Sequence, residues 1–338
     1  NILVAIIVTP ILFQNLGESE YGLVNLAFSI VMILSIIVSY GYHLNGPKRI
    51  SLLNTIEEKK ELINEIISLR ISLAFITTVL IYFLITFSNF FIGYENVIMF
   101  SLVILYSEAL HPIFYLQGEN NLSILAVTNA ISKLIYVALI ILLIKNPDDS
   151  FLVNLLFGGV LSIVYLVFWV SIFLKNNIRF AWPKADKIIY RIKENFDFFF
   201  SSIAGHISIH GGIIILSNFI DNIELGKFAL AQRIGMLLRM IPIFITQAVL
   251  QNASVINQNR KSYLNDYLNK FYLKGLLFTF VIGILVTVTS KWIIIFLSGE
   301  EILYSQEILS LLSFIPFLGM LNFKNIIKIL VEEKKKIL

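Results

Sequence analysis

There is no cysteine in this chain of 338 residues, which excludes disulfides, thiolate metal sites and a cysteine nucleophile and leaves the redox compartment unreadable. Charge is scarce as well. Only 14% of the residues are Asp, Glu, Lys or Arg, against about 25% in soluble globular domains, so an ordinary soluble enzyme is excluded. No GxxxxGK[ST] loop occurs, so this chain alone is not a nucleotide-driven pump, and no HExxH helix offers a zinc site. A charged start followed by a cleavage site, the mark of a signal peptide, is also missing.

What the chain does have is hydrophobic length. Hydrophobic residues make up 57% of it, and the mean hydropathy is +0.83. Apolar runs cover 1–16, 21–42, 67–91, 94–117, 122–144, 151–174, 196–220, 226–250, 271–297 and 303–323. Most match the ~20 residues needed to cross a hydrocarbon layer of ~30 Å. The runs are continuous, whereas barrel strands alternate over ~10 residues, so they predict helices. The expected fold is an all-α polytopic membrane protein with about ten spans.

The net charge of +4 reads as topology, with no nucleic acid implied. Lys48, Arg49, Lys59, Lys60, Arg70, the basic residues of 175–193, Arg260, Lys261, Lys270, Lys274 and those of 324–336 fall on one side, twenty in all. Lys145, Lys227 and Lys291 fall on the other, with nine acids, Glu18, Glu20, Glu95, Asp148, Asp149, Asp221, Glu224, Glu300 and Glu301. By the positive-inside rule the first side is cytoplasmic, and with it the C-terminal tail. In 52–67, Leu62, Ile63, Ile66 and Ile67 recur at helical spacing among Glu57, Glu58, Lys59 and Lys60, predicting an amphipathic helix at the interface. The basic stretch 175–195 reads as a topology anchor and linker.

A shift of 204 residues lays spans 1–2 on spans 7–8 without a gap. Ten of 27 positions in 11–37 are then identical, including Glu20/Glu224, Gly22/Gly226 and Ala27/Ala231. Six spans separate the copies, an even number, so both share one orientation, as in transporters with parallel repeats. The expected organisation is an N-terminal six-helix bundle (1–174), a cytoplasmic linker (175–195) and a C-terminal bundle of four spans (196–338). Residue 1 is Asn and the second copy lacks two spans, so twelve are expected in an intact protein and the chain reads as truncated at both ends.

Several short motifs carry a resemblance. They are Gly17-Glu18-Ser19-Glu20-Tyr21-Gly22-Leu23 with Leu26-Ala27, then Gly46-Pro47-Lys48-Arg49-Ile50-Ser51, then Pro112 to Leu116-Gln117-Gly118-Glu119, and Glu224 to Arg233. Together the chain resembles the polysaccharide (O-antigen type) flippases of the multidrug/oligosaccharidyl-lipid/polysaccharide exporter superfamily. The resemblance implies two six-helix bundles around a central cavity. It also implies flipping of undecaprenyl-diphosphate-linked oligosaccharide repeat units across the bacterial inner membrane.

A diphosphate and its sugars cannot cross hydrocarbon unaided, so such a protein needs buried positive charge in a wet cavity. Each cation at the membrane centre costs ~2.5–3.5 kcal/mol on insertion scales, so cations rarely face lipid there. Lys133 lies about eleven residues, ~17 Å, from either end of its span, and Arg239 is similarly central. Arg233 sits roughly 10 Å below its outer end and could snorkel. These three are the candidate substrate-binding cations, against the plainer reading of ion pairs with Glu108. His206 and His210 share one helix face. A polar cavity stripe, a proton-coupling pair and a metal site stand as alternatives for them. Glu108 reads equally as a counter-ion or as a site for a coupling proton or sodium. His111-Pro112, Pro10, Pro242 and Pro316 are candidate kinks.

No cofactor and no catalytic residue is expected, because the predicted outer loops are short and hold no paired carboxylates at fixed spacing. That weighs against a membrane-embedded polymerase or ligase. A multidrug or cation antiporter of the same superfamily is the nearer alternative. It would favour intramembrane carboxylates, whereas three deep cations face one deep acid here.

Overall fold

The computed structural model describes residues 2–176, 180–259 and 263–331. The charged tail 332–336 and the loop cations Arg179, Arg260 and Lys261 lie outside the described residues. Every regular element among those described is helical, as unbroken apolar runs without a two-residue alternation require. In order they are α1 (Ile2–Ser39), α2 (Tyr42–Leu52), α3 (Ile56–Phe87), α4 (Glu95–Ser101), α5 (Val103–Leu110), α6 (Ile113–Gly118), α7 (Leu122–Leu143) and α8 (Ser150–Lys175). There follow α9 (Ala185–Leu216), α10 (Asn222–Leu238), α11 (Met240–Asn259), α12 (Leu264–Ser298), α13 (Leu303–Leu312), α14 (Ile315–Leu321) and α15 (Phe323–Val331).

Nine helical segments among the described residues are long and apolar enough to cross a membrane. The chain is therefore an all-α multi-pass membrane protein. Ten runs and nine segments differ only at the N-terminus, where Val4–Leu52 counts as one segment of 49 residues. At 1.5 Å per residue that is ~74 Å, more than twice the hydrocarbon thickness. Gly17, at φ 76° and ψ 171°, interrupts the helical backbone inside α1 and separates the runs predicted at 1–16 and 21–42.

One expectation is corrected. The stretch 52–67 is no separate helix at the interface. Leu52 ends α2, and 56–67 forms the first turns of α3, which continues unbroken to Phe87 because 56–87 holds neither Pro nor Gly. A reciprocal capping box starts it, Thr55 Oγ1 accepting from the Glu58 N–H and Glu58 Oε2 from the Thr55 N–H. Its apolar face, Leu62, Ile63, Ile66 and Ile67, is buried in protein. The prolines act as expected at three places. Pro112, Pro242 and Pro316 each follow a helix break within three residues, whereas Pro10 stays inside α1.

The chain forms two compact units, Asn15–Gly226 and Ile2–Gln14 with Lys227–Leu338. In the first, Tyr42, Ile50, Ile63, Ile66, Phe114 and Trp169 are core residues. Helices α2 and α6 approach closely there, a Cβ on Gly46 falling 2.6 Å from Phe114 Cβ. Two motif glycines are thus packing devices, since Gly118 meets Ile50 of α2 in the same way. The second unit has its own core of Val249, Leu264, Leu268, Met320, Phe323 and Ile327.

Candidate functional site

In the first unit the polar centre is built around a broken helix. Pro112 carries no N–H, so the carbonyl of Glu108 loses its i+4 partner, and the chain turns extended at His111 (ψ 116°) before α6 begins. Arg70 of α3, only 1% exposed, supplies the missing donors. Its Nη2 bonds the Glu108 carbonyl, and its Nη1 donates to the His111 carbonyl at 3.1 Å. The same Nη2 pairs with Glu108 Oε1 at 2.8 Å. The Leu110 carbonyl accepts from the Trp169 indole at 2.7 Å. The Glu108 carbonyl keeps only an i+3 bond from the His111 N–H at 3.2 Å, and the three carbonyls at this break are satisfied further from two other helices, as buried backbone groups demand.

Sequence reasoning counted Arg70 among the solvated cytoplasmic charges and offered Lys133, Arg239 and Arg233 as partners for Glu108. The observed partner is Arg70. Beside this clasp the His111 ring lies 5.0 Å from Tyr165, whose hydroxyl donates to Asn129 Oδ1 at 2.8 Å. Lys133 stands one turn beyond Asn129 on the same face of α7. It is half-buried, and among the described residues no ion pair or hydrogen bond engages its ammonium.

His206 and His210 also belong to the first unit, on α9. His206 Nδ1 lies 3.1 Å from the Ser202 carbonyl. His210 is buried edge-on to Phe28, ring centroids 6.1 Å apart, and its Nδ1 has no hydrogen-bond partner among the described residues. Among those residues no three His, Asp or Glu side chains are grouped to hold a metal ion.

A second polar feature escaped sequence reasoning. The start of α9 is tied to α2 and α3 by a charge network. Glu65, buried on α3, accepts from Arg191 Nε at 2.6 Å and lies 3.4 Å from Lys187 Nζ. Arg191 Nη1 also reaches Glu194 at 2.9 Å, Glu194 pairs with Arg49, and Lys187 pairs with Glu61. Asn195 completes the tie by donating to the Tyr40 carbonyl and accepting from Asn45 at 2.9 Å. The basic stretch read as a linker is in this part a docking element. The available signal was Glu65 itself, a carboxylate set between Leu62 and Leu69 on the apolar stripe.

In the second unit Pro242 breaks the helix between α10 and α11, and Arg239 occupies the break. It is exposed and stands at one end of a groove of about 720 Å³ whose walls come from α11, α14 and α15. Arg233, two turns earlier, is half-buried, with its Nε buried and without a hydrogen bond among the described residues.

Comparison with known proteins adds a family. Residues 1–251 match the family model described as "Polysaccharide biosynthesis protein". A curated relative, "Putative O-antigen transporter" of Shigella dysenteriae, is 27% identical over 258 residues. That alignment covers 75% of this chain and 64% of the relative, so the chain spans less than two thirds of the relative's length. No solved structure matches.

Proposed function

The chain belongs to the polysaccharide biosynthesis protein family, and from that premise we propose that it is a flippase. Its cargo is an undecaprenyl-diphosphate-linked oligosaccharide, carried across the bacterial inner membrane by alternating access of two helix bundles. The observation that carries this reading is the sign of the uncompensated charge. Glu108, the deep acid, is already paired with Arg70, so it does not neutralise Lys133. An intramembrane ammonium without a carboxylate suits an anionic cargo such as a diphosphate, and it disfavours the cation-antiporter reading.

In this scheme Lys133 and Arg239 meet the diphosphate while polar side chains such as Asn129 meet sugar hydroxyls. Arg233, His206, His210 and Glu108 are secondary candidates. The cytoplasmic side is the one rich in Lys and Arg, including the C-terminal tail. The test is complementation, with the full-length gene placed in a strain that lacks its own O-antigen flippase. Restored surface polysaccharide is expected, with Lys133→Ala and Arg239→Ala each losing most of it at equal membrane abundance. Full export by both variants would remove these cations from the mechanism.

A further inference from the structure

A cavity of about 480 Å³ lies within the first unit, lined by α2, the start of α3 and Arg191 of α9. Five of its side chains carry charge, Lys48, Arg49, Glu58, Glu61 and Arg191. Three of them are answered from within the protein. Arg49 pairs with Glu194, Arg191 with Glu65 and Glu194, and Glu61 with Lys187. The other two have opposite signs. Glu58 Oε2 accepts only from the Thr55 N–H, and among the described residues no ion pair or hydrogen bond engages the Lys48 ammonium. Both side chains are exposed, and they line one cavity without pairing with each other. Leu52, Leu53 and Leu62 share the lining. Leu44 and Leu52, one turn before and after Lys48 on the same face of α2, are exposed.

We propose that this cavity holds the headgroup of a zwitterionic phospholipid, phosphoethanolamine, with its phosphate on Lys48 and its ammonium on Glu58. An ion of one sign would gain one of these partners and be repelled by the other, whereas a headgroup with both charges satisfies the two at once. Arg49, on the same wall as Lys48, brings further N–H donors for phosphate oxygens. A primary ammonium has three N–H donors to offer a carboxylate, and a choline headgroup has none. A lipid is favoured over a free zwitterion because the cavity sits where α2 ends a span on the side rich in Lys and Arg. There the exposed Leu44 and Leu52 flank the cation and give acyl chains an apolar track. The site stands on this arrangement of charges and is independent of the flippase reading.

The test uses the full-length protein in detergent and reads the binding of single lipids by native mass spectrometry. Phosphatidylethanolamine is compared with phosphatidylglycerol and phosphatidylcholine, and glycerophosphoethanolamine supplies the headgroup without chains. One phosphatidylethanolamine is expected to bind about tenfold more tightly than either other lipid, the low end for a hydrogen bond to a charged group. Lys48→Gln should weaken all three lipids by about tenfold, since each carries the phosphate. Glu58→Gln, which keeps the capping box, should weaken phosphatidylethanolamine most and phosphatidylglycerol not at all. Glu57→Gln makes the same change of charge one residue outside the lining, and it should leave every affinity as it was. Equal affinity for the three lipids overturns the proposal, as does an equal loss in Glu57→Gln and Glu58→Gln. Glycerophosphoethanolamine binding as tightly as the whole lipid also overturns it, by assigning the site to a soluble zwitterion.

Discussion

Gly22 of α1 and Gly226 of α10 meet backbone to backbone within the first unit. A Cβ on Gly22 would lie 2.6 Å from the Asn222 carbonyl oxygen, and one on Gly226 would run into the Glu18 carbonyl. The contact is reciprocal in a specific way, since the 204-residue shift that pairs Gly22 with Gly226 also pairs Glu18 with Asn222. Residues that the shift makes equivalent are thus in mutual contact.

Gly22→Ala and Gly226→Ala are each expected to destabilise by about 1–3 kcal/mol, the cost of overpacking a close contact. The double variant should cost less than the sum, because the first Cβ already opens the gap that the second occupies. Gly159, whose added Cβ would meet nothing within 4 Å, is the control. Thermal unfolding of the detergent-solubilised protein reads all four. Neutral single variants would show that the helices do not pass this closely.

Arg70 gives a sharper expectation, because it holds a carboxylate and two carbonyls at once. Arg70→Met should cost about 3–5 kcal/mol, leaving the Glu108 carboxylate unpaired and the His111 carbonyl without its guanidinium donor. Glu108→Gln keeps an acceptor for the guanidinium and should cost less. Arg70→Lys should fall nearer to Met than to wild type, since one ammonium cannot reproduce the fork that reaches both carbonyls. Unfolding midpoints separate these outcomes, and full stability of the lysine variant would reduce Arg70 to a simple counter-charge.

The spans were legible because crossing hydrocarbon demands a run of apolar residues that nothing else in a sequence imitates. The helix breaks at Pro112, Pro242 and Pro316 were legible for a local reason, the missing N–H. Arg70 was not. A cation at the edge of a span looks alike whether it is solvated or clasped, and its partners lie 38 and 41 residues away in the chain. Pro112 was the one clue, because it orphans a carbonyl and so calls for a donor. Glu65 was hidden by its neighbours Glu57, Glu58, Lys59 and Lys60, which made the whole segment look solvated. The groove of the second unit depends on where α14 and α15 lie against α11, a tertiary relation without a local signature.

Trp169 tests the neutral half of the same broken helix. Its indole donates to Leu110 while its ring lies 5.7 Å from Phe114. Trp169→Phe keeps aromatic bulk and removes the donor, so a loss of about 1–3 kcal/mol is expected from the orphaned carbonyl. Trp169→Leu should cost more by also removing ring area. Full stability of the phenylalanine variant beside a loss in the leucine variant, again by unfolding midpoint, would assign the whole effect to packing.

Glu65 is the hub of the charge network, and its neighbours differ in how much they depend on it. Arg191 is mostly buried and has Glu194 as a second partner, whereas Lys187 is half-exposed and also pairs with Glu61. Glu65→Ala therefore strands Arg191 in part and Lys187 hardly at all. A double-mutant cycle should give a coupling of about 0.5–3 kcal/mol for Glu65 with Arg191. For Glu65 with Lys187 it should stay below about 1 kcal/mol, because an exposed ammonium is screened by water. Since α9 docks through this network, Glu65→Ala should also raise hydrogen exchange at the start of α9 before it lowers global stability. Uniform exchange along α9, with equal couplings for the two cations, would mean that the network does not hold the helix.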